Sequence, residues 1–305
     1  MTLAIVNTTF NWATNTLNDT LSSFDSADSP SWRVSNLSAG TLVNLGTGIN
    51  TSDVGYNEFT KRFCFIRNNA GTITEFSESD IVNSVASPTI IRVLTITGLF
   101  GSDTEGLTDV YRNLSEGGYE FWVSAEDGGR NLTYNVPITE SEMLGTSDIS
   151  VAQRQELTMA APGGTNNGQE GVGFDLAAQE ILGVQEGAIA PRIVYVADRP
   201  VNRDTDYDYL ADAELTVTEP FDAEAIIPGT NDLSSCCYHT PTGHLLLLSE
   251  NGNTVYQYQR DGTLVDSLTG LGTAMFQPEG ICMHGDNMVI MGEVDECVYY
   301  TYTAP

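Results

Sequence analysis

Lysine is almost missing from this chain. Lys61 stands alone, and lysine and arginine together number 12 against 41 aspartates and glutamates, for a net charge of −29 over 305 residues. Such a surface repels phosphate backbones and anionic membranes, which excludes nucleic acid as a partner class, and it attracts divalent cations and basic surfaces. With three histidines, no Cys-x-x-Cys pair and only Cys64, Cys236, Cys237, Cys282 and Cys297, a zinc site and a dense disulfide framework are both excluded. Cysteines set within apolar strand patterns read as small buried hydrophobes. No long apolar run exists, so no membrane insertion is expected. The opening MTLAIVNTTFNWATNTLNDTL lacks the basic and apolar regions of a signal peptide. The expected location is therefore a virion, or the extracellular space reached without a signal peptide. Also missing are the Gly-x-Ser-x-Gly elbow, the P-loop and the dinucleotide fingerprint.

What is present is apolar material and repetition. Hydrophobic residues make up 41% of the chain and charged ones 17%, enough for a real core. Short runs rich in Val, Ile, Tyr and Thr are broken by Gly, Asn and Asp turns, the signature of strands. Helices are expected at most near 147–159 or 174–180. A strand opening recurs as TSDVGYN (51–57), TEGLTDV (104–110), QEGVGFD (169–175), LSSCCYH (233–239) and PEGICMH (278–284). A second strand follows each, as CFIRN, WVSAE, LGVQE, LLLSE and VIMGE. Third strands follow these, and fourth strands fit at 90–97, 151–159, 214–221 and 263–268. Four antiparallel strands repeated radially make a propeller blade.

The expected fold is thus all-β: a five-bladed β-propeller of four-stranded antiparallel blades. The fifth repeat runs out of chain after its third strand, and TLVNLG (41–46) can supply the missing one, closing the ring and leaving no free edge. Residues 41–305 form the propeller domain, and residues 1–40, rich in Asn, Thr and Ser, read as an arm or attachment segment.

The family resemblance lies in NDLSSCCYHTPTGHLLLLSENGNTVYQYQRDGTLV (231–265), QPEGICMHGDNMVIMGE (277–293) and EGVGFDLAAQEILGVQEGAIAPRIVYVA (170–197). These phrases resemble the SdiA-regulated, YjiK-like propellers. The resemblance implies a propeller that is typically exported and envelope-associated, in some members linked to calcium responses, with no enzymatic activity to carry over.

Aligning the repeats puts Ser52, Glu105, Glu170, Ser234 and Glu279 at the opening position. Asn50, Asp103, Gly168, Asp232 and Gln277 lie two residues earlier, and Asn68, Glu126, Glu186, Glu250 and Glu293 end the second strands. Antiparallel pairing brings the start of one strand beside the end of the next, so all these positions face one mouth of the channel. Gly106, Gly171 and Gly280 follow the opening glutamates, where the innermost strands crowd. Glu105, Glu126, Glu170, Glu186, Asp232, Glu250, Glu279 and Glu293 are the candidate ligands of a cation there. Calcium suits such oxygen-only chemistry. The alternative is an internal latch in which these carboxylates accept hydrogen bonds from neighbouring blades. Asp204, Asp206 and Asp208 form a second, looser candidate with the Asp-x-Asp-x-Asp opening of a calcium loop, but Tyr209 and Leu215 stand where an EF-hand needs Gly and Glu.

Three functions compete. The first is a non-enzymatic binding or structural propeller of a virion, a phage surface or tail appendage docking on other proteins through residues 1–40. The second is an exported, envelope-located, calcium-responsive propeller like its apparent family. The third is a calcium-dependent phosphate-ester hydrolase in which Glu105 with Glu126, or Glu279 with Glu293, shares acid–base work. Such a hydrolase needs cations for the substrate, and only Lys61, Arg62 and Arg67 are near one another.

Overall fold

The computed structural model describes residues 10–11, 16–17, 32–46, 50–68, 70–99, 103–113, 118–127, 130–152, 155–159, 169–185, 194–199, 213–215, 217–226, 232–271 and 275–305. Two compact units form, Met1–Trp32 and Arg33–Pro305. Within the first, Phe10–Asn11 pairs antiparallel with Thr16–Leu17.

The second unit is a five-bladed β-propeller. Blade 1 holds Thr51–Asn57, Arg62–Arg67, Thr72–Ser77 and Ile90–Thr97, in order outward from the axis. Blade 2 holds Asp103–Leu107, Gly118–Asp127, Arg130–Ile138 and Gln155–Met159. Blade 3 holds Gln169–Asp175, Glu180–Gln185 and Val194–Asp198. Blade 4 holds Leu233–His239, His244–Ser249, Thr254–Tyr258 and Leu264–Thr269. Blade 5 holds Pro278–His284, Asn287–Gly292 and Glu296–Tyr302, and its outer strand is Leu37–Asn44 from the other end of the unit. The ring closes there, as the strand pattern implied, although the closing strand begins at Leu37, inside the segment read as an arm.

Two outer strands depart from the expectation. The stretch 151–159 is not one strand. Ile149–Ala152 pairs parallel with Ile90–Thr97 of blade 1, and Gln155–Met159 completes blade 2. The stretch 214–221 is not the fourth strand of blade 3. Ala213–Leu215 pairs parallel with blade 2, and Thr218 makes a single bridge to Val196 of blade 3. Strand preference marks extended chain but not its partner. Burial chooses the partner at Val151, which joins the apolar cluster of Leu94 and Ile96. Pro220 follows Thr218 and cannot continue a ladder. No helix forms at 147–152, 155–159 or 174–180; short helices lie instead at Glu78–Val82, Glu140–Leu144 and Ala223–Ile226. The second carries a capping box between Thr139 and Glu142, and Ser77 caps the first by accepting from the Asp80 N–H.

The core lies between neighbouring blades. Val54, Phe63 and Phe65 of blade 1 pack on Val289, Met291 and Cys297 of blade 5, and Ile66 and Leu94 pack on Leu107 and Val123 of blade 2. Trp122 and Leu157 meet Val172 and Ile181, and Leu182 and Val184 meet Leu245 and Leu247. The scarce arginines tie blades together. Arg92 grips Glu75 through two bonds of 2.7 and 2.8 Å within buried surroundings, and it also reaches the carbonyl of Glu142. Arg62 joins the same Glu75 at 2.7 Å and the Gly145 carbonyl at 2.8 Å. Arg199 of blade 3 holds Glu120 of blade 2 at 2.7 Å, and Arg260 of blade 4 holds Asp175 of blade 3 at 2.6 Å.

An acidic cup on the propeller axis

In all five blades the pairing of the innermost strand with the second one slips at the opening position. The shifts fall at Thr51/Asp53, at Glu105 between its neighbours' partners Ser124 and Ala125, at Gln169/Val172, at Leu233/Ser235 and at Pro278/Gly280. Each is a bulge, which kinks the strand and re-aims one side chain. Ser52, Glu105, Glu170, Ser234 and Glu279 therefore leave the ladder and line one cavity of about 340 Å³. The strand-end side chains reach the same place because the N–H groups of Glu250, Glu293 and Asn68 donate to the carbonyls of Asp232, Gln277 and Asn50 at 3.0, 3.0 and 3.1 Å. Asp232 and Gln277, equivalent in blades 4 and 5, turn this corner with φ of 79° and 44°, a conformation disfavoured for residues with a Cβ.

Seven carboxylates line the cavity: Asp103, Glu105, Glu170, Asp232, Glu250, Glu279 and Glu293. Six of these were candidates from sequence. Glu126 pairs in register with Asp103 at the same end of blade 2, but its side chain lies outside the described residues, as do Glu186 and Asp204, Asp206 and Asp208. Among the described residues, none of the lining side chains is basic. Amides moderate the charge: Gln277 donates to Glu250 at 3.1 Å, Asn251 to Asp232 at 2.6 Å and Asn50 to Glu293 at 3.4 Å. Burial, followed by repulsion from Glu250, Glu105, Glu293 and Asp232, pushes the Glu279 carboxyl up to about 9. Oxygen-only lining fits a hard cation chemically. Among the described residues, however, no group of three or more His, Cys, Asp or Glu side chains stands close enough to hold a metal ion.

The cup has a floor that the motif alignment overlooked. One residue below Ser52, the fully buried Asp53 accepts from the N–H groups of Val54, Leu107 and Ile281 at 2.8, 2.8 and 3.1 Å and from the Ser235 hydroxyl at 3.1 Å. One carboxylate thereby joins the inner strands of blades 1, 2, 4 and 5 and closes the axis. Gly280 makes room for it, since a Cβ there would stand 2.6 Å from the Asp53 carboxylate. Gly171 presses equally close, with Ser235 Cα 2.5 Å from where its Cβ would be. Burial raises the Asp53 carboxyl well above the ordinary range, against the pull of its four hydrogen bonds. The signal was in the sequence: in the aligned repeats Asp53 stands where Gly106, Gly171 and Gly280 stand. Hydroxyls stitch the blades around it. Ser124, Ser234 and Thr104 donate to the carbonyls of Glu170, Pro278 and Arg67 at 2.7, 2.9 and 2.6 Å.

The remaining candidates lie elsewhere. Lys61 pairs with Glu58, and Arg62 with Glu75, at the end of their strand remote from Arg67 and Asn68, so the three cations do not converge. His239 and His284 close hairpins, sharing hydrogen bonds of 2.8 Å with Thr242 and with the Tyr299 hydroxyl. All five cysteines are free thiols, and burial raises each of them.

Fold and cup together define a five-bladed propeller with a blind, acidic recess on its axis. The chain belongs to the SdiA-regulated family, whose model matches residues 36–301. No curated protein sequence matches it. Among solved structures it is similar to a luciferin-regenerating enzyme (10% identity, 86% of this chain and 95% of that one, TM-score 0.46). It is also similar to a gluconolactonase from Xanthomonas campestris (10% identity, 88% and 91%, TM-score 0.46) and to a chain of a nidogen–laminin complex (12% identity, 80% and 73%, TM-score 0.46).

Proposed function

We propose that this propeller is a binding module rather than a catalyst, and that its axial cup receives a cation. One observation carries the proposal: seven carboxylates from four blades line a single axial cavity. Clustered carboxylates removed from water favour a positive guest. Calcium is the inorganic candidate, since it tolerates irregular oxygen ligands and retained water better than magnesium does. The setting we propose is a virus particle, with the segment ahead of the propeller, residues 1–32, docking on other particle proteins; the polar, lysine-poor composition supports it. Extraction of the protein with purified particles tests that setting, and recovery only from a cell envelope would favour an envelope role instead.

The cation reading is tested by thermal unfolding at fixed ionic strength with added calcium, magnesium or organic cations. A guest that binds only the folded state stabilises it by about 2.7 kcal/mol at one hundred times its Kd. No shift with any cation would reject the reading. A hydrolase finds less support, because among the described residues the cup lining offers a phosphate no positive partner. A panel of chromogenic phosphate esters, with and without calcium, is expected to show no turnover.

A further inference from the structure

We propose that His244 is an acid-sensitive clasp on the ring closure: its neutral imidazole holds the turn through which the chain enters the ring, and the protonated imidazole lets that turn go. The turn Val34–Asn36 leads into Leu37–Asn44, the outer strand of blade 5, yet its first two N–H groups are held by blade 4. The Val34 N–H donates to Gln257 Oε1 at 3.0 Å and the Ser35 N–H to Asp266 Oδ2 at 2.9 Å. Gln257 and Asp266 stand directly opposite each other on the third and fourth strands of blade 4, so their side chains share one face of that sheet.

This geometry fixes a tautomer. A backbone N–H can only donate, so the amide oxygen of Gln257 must face Val34 and its NH2 must face the other way. There Gln257 Nε2 lies 2.7 Å from His244 Nδ1. The NH2 also can only donate, so Nδ1 accepts and the imidazole proton sits on Nε2. Protonating Nδ1 sets two donors face to face. Turning the amide over would answer His244 but put the NH2 against the Val34 N–H, so one of the two bonds is lost in either arrangement. Gln257 and Val34 are both 0% exposed, and water does not readily replace a bond lost there. The charges around the clasp work in the same direction. Burial, then the Arg33 guanidinium, holds His244 below the usual histidine range. His239, on the first strand of the blade, is held down to about 3 by burial and by His244, and stays neutral. Asp266 is engaged with Ser35. The neutral clasp therefore contributes its full stability above the ordinary histidine value of 6.5, and that contribution fades as pH falls below it.

Histidine NMR and amide hydrogen exchange on the whole chain, from about pH 8 down to about pH 5, test the clasp. At the upper end His244 is expected to carry its proton on Nε2. As it titrates, protection of the Val34 amide should drop about tenfold relative to the Leu247 and Val255 amides in the ladder of the same blade, the order expected for one hydrogen bond. His244→Asn presents a carboxamide oxygen near the position of Nδ1 and carries no titrating group, so Val34 protection in that variant should stay level across the range. A proton on Nδ1 at the upper end overturns the proposal. So does a His244 that stays neutral throughout, Val34 protection that holds while His244 titrates, or an equal loss in His244→Asn. If the variant does not fold, the tautomer and the exchange of the unsubstituted chain still decide.

Discussion

The cup and its floor are built from the same functional group and put it to opposite uses. At the floor, Asp53 is one carboxylate facing three N–H groups and a hydroxyl drawn from four blades. At the cup, seven carboxylates line one cavity, and amides of Gln277, Asn251 and Asn50 reach three of them. The number of donors within reach, not the presence of the acid, decides whether a carboxylate locks the fold. Evolution of either layer alone would be visible as a change in stability with little change in binding, or the reverse.

The largest test of that contrast is Asp53→Ala. It strands buried donors on four blades and should cost about 3–5 kcal/mol, read by denaturant unfolding. A loss below about 1 kcal/mol would place the floor and the cup in the same class. Next comes pH. Glu279 titrates near 9 when folded, above its ordinary value of 4.5. The folded chain therefore binds more protons than the unfolded one between those values, and this group's contribution falls as pH rises through that window. Glu279→Gln keeps a neutral side chain throughout. It should gain on the parent by more than about 1 kcal/mol between pH 5 and 9, measured as Tm across that range. Smaller again, Glu250→Gln relieves repulsion within the cup and should stabilise the guest-free protein by about 0.5 kcal/mol at low salt, the gain shrinking as salt is added. Smallest is Lys61→Ala. Its partnership with Glu58 is exposed and belongs to neither layer, so unfolding should change by less than about 0.5 kcal/mol.

The propeller was legible because each blade repeats one local grammar of opening, apolar run and turn. The opening residues could be aligned since a bulge recurs at one position in five blades, even though a bulge has no residue code of its own. Outer strands were less legible. Ile149–Ala152 and Ala213–Leu215 pair in parallel with distant chain, and nothing local records that choice. Six acidic residues of the mouth were found, whereas Asp53 was passed over because it falls one position past the aligned opening residue, where three other blades carry glycine. Its meaning depends on three glycines in other blades and emerges only when the repeats are stacked on a common axis.

The seam at blade 5 has a mechanical consequence. Leu37 pairs with Tyr302 at one end of the closing ladder and Asn44 with Glu296 at the other. The two strand ends that lead out of the ring are therefore side by side. Tension applied through them would open this ladder one rung at a time, as a zipper yields, instead of shearing all rungs together. A pull through the ring's own ends thus loads this ladder rung by rung.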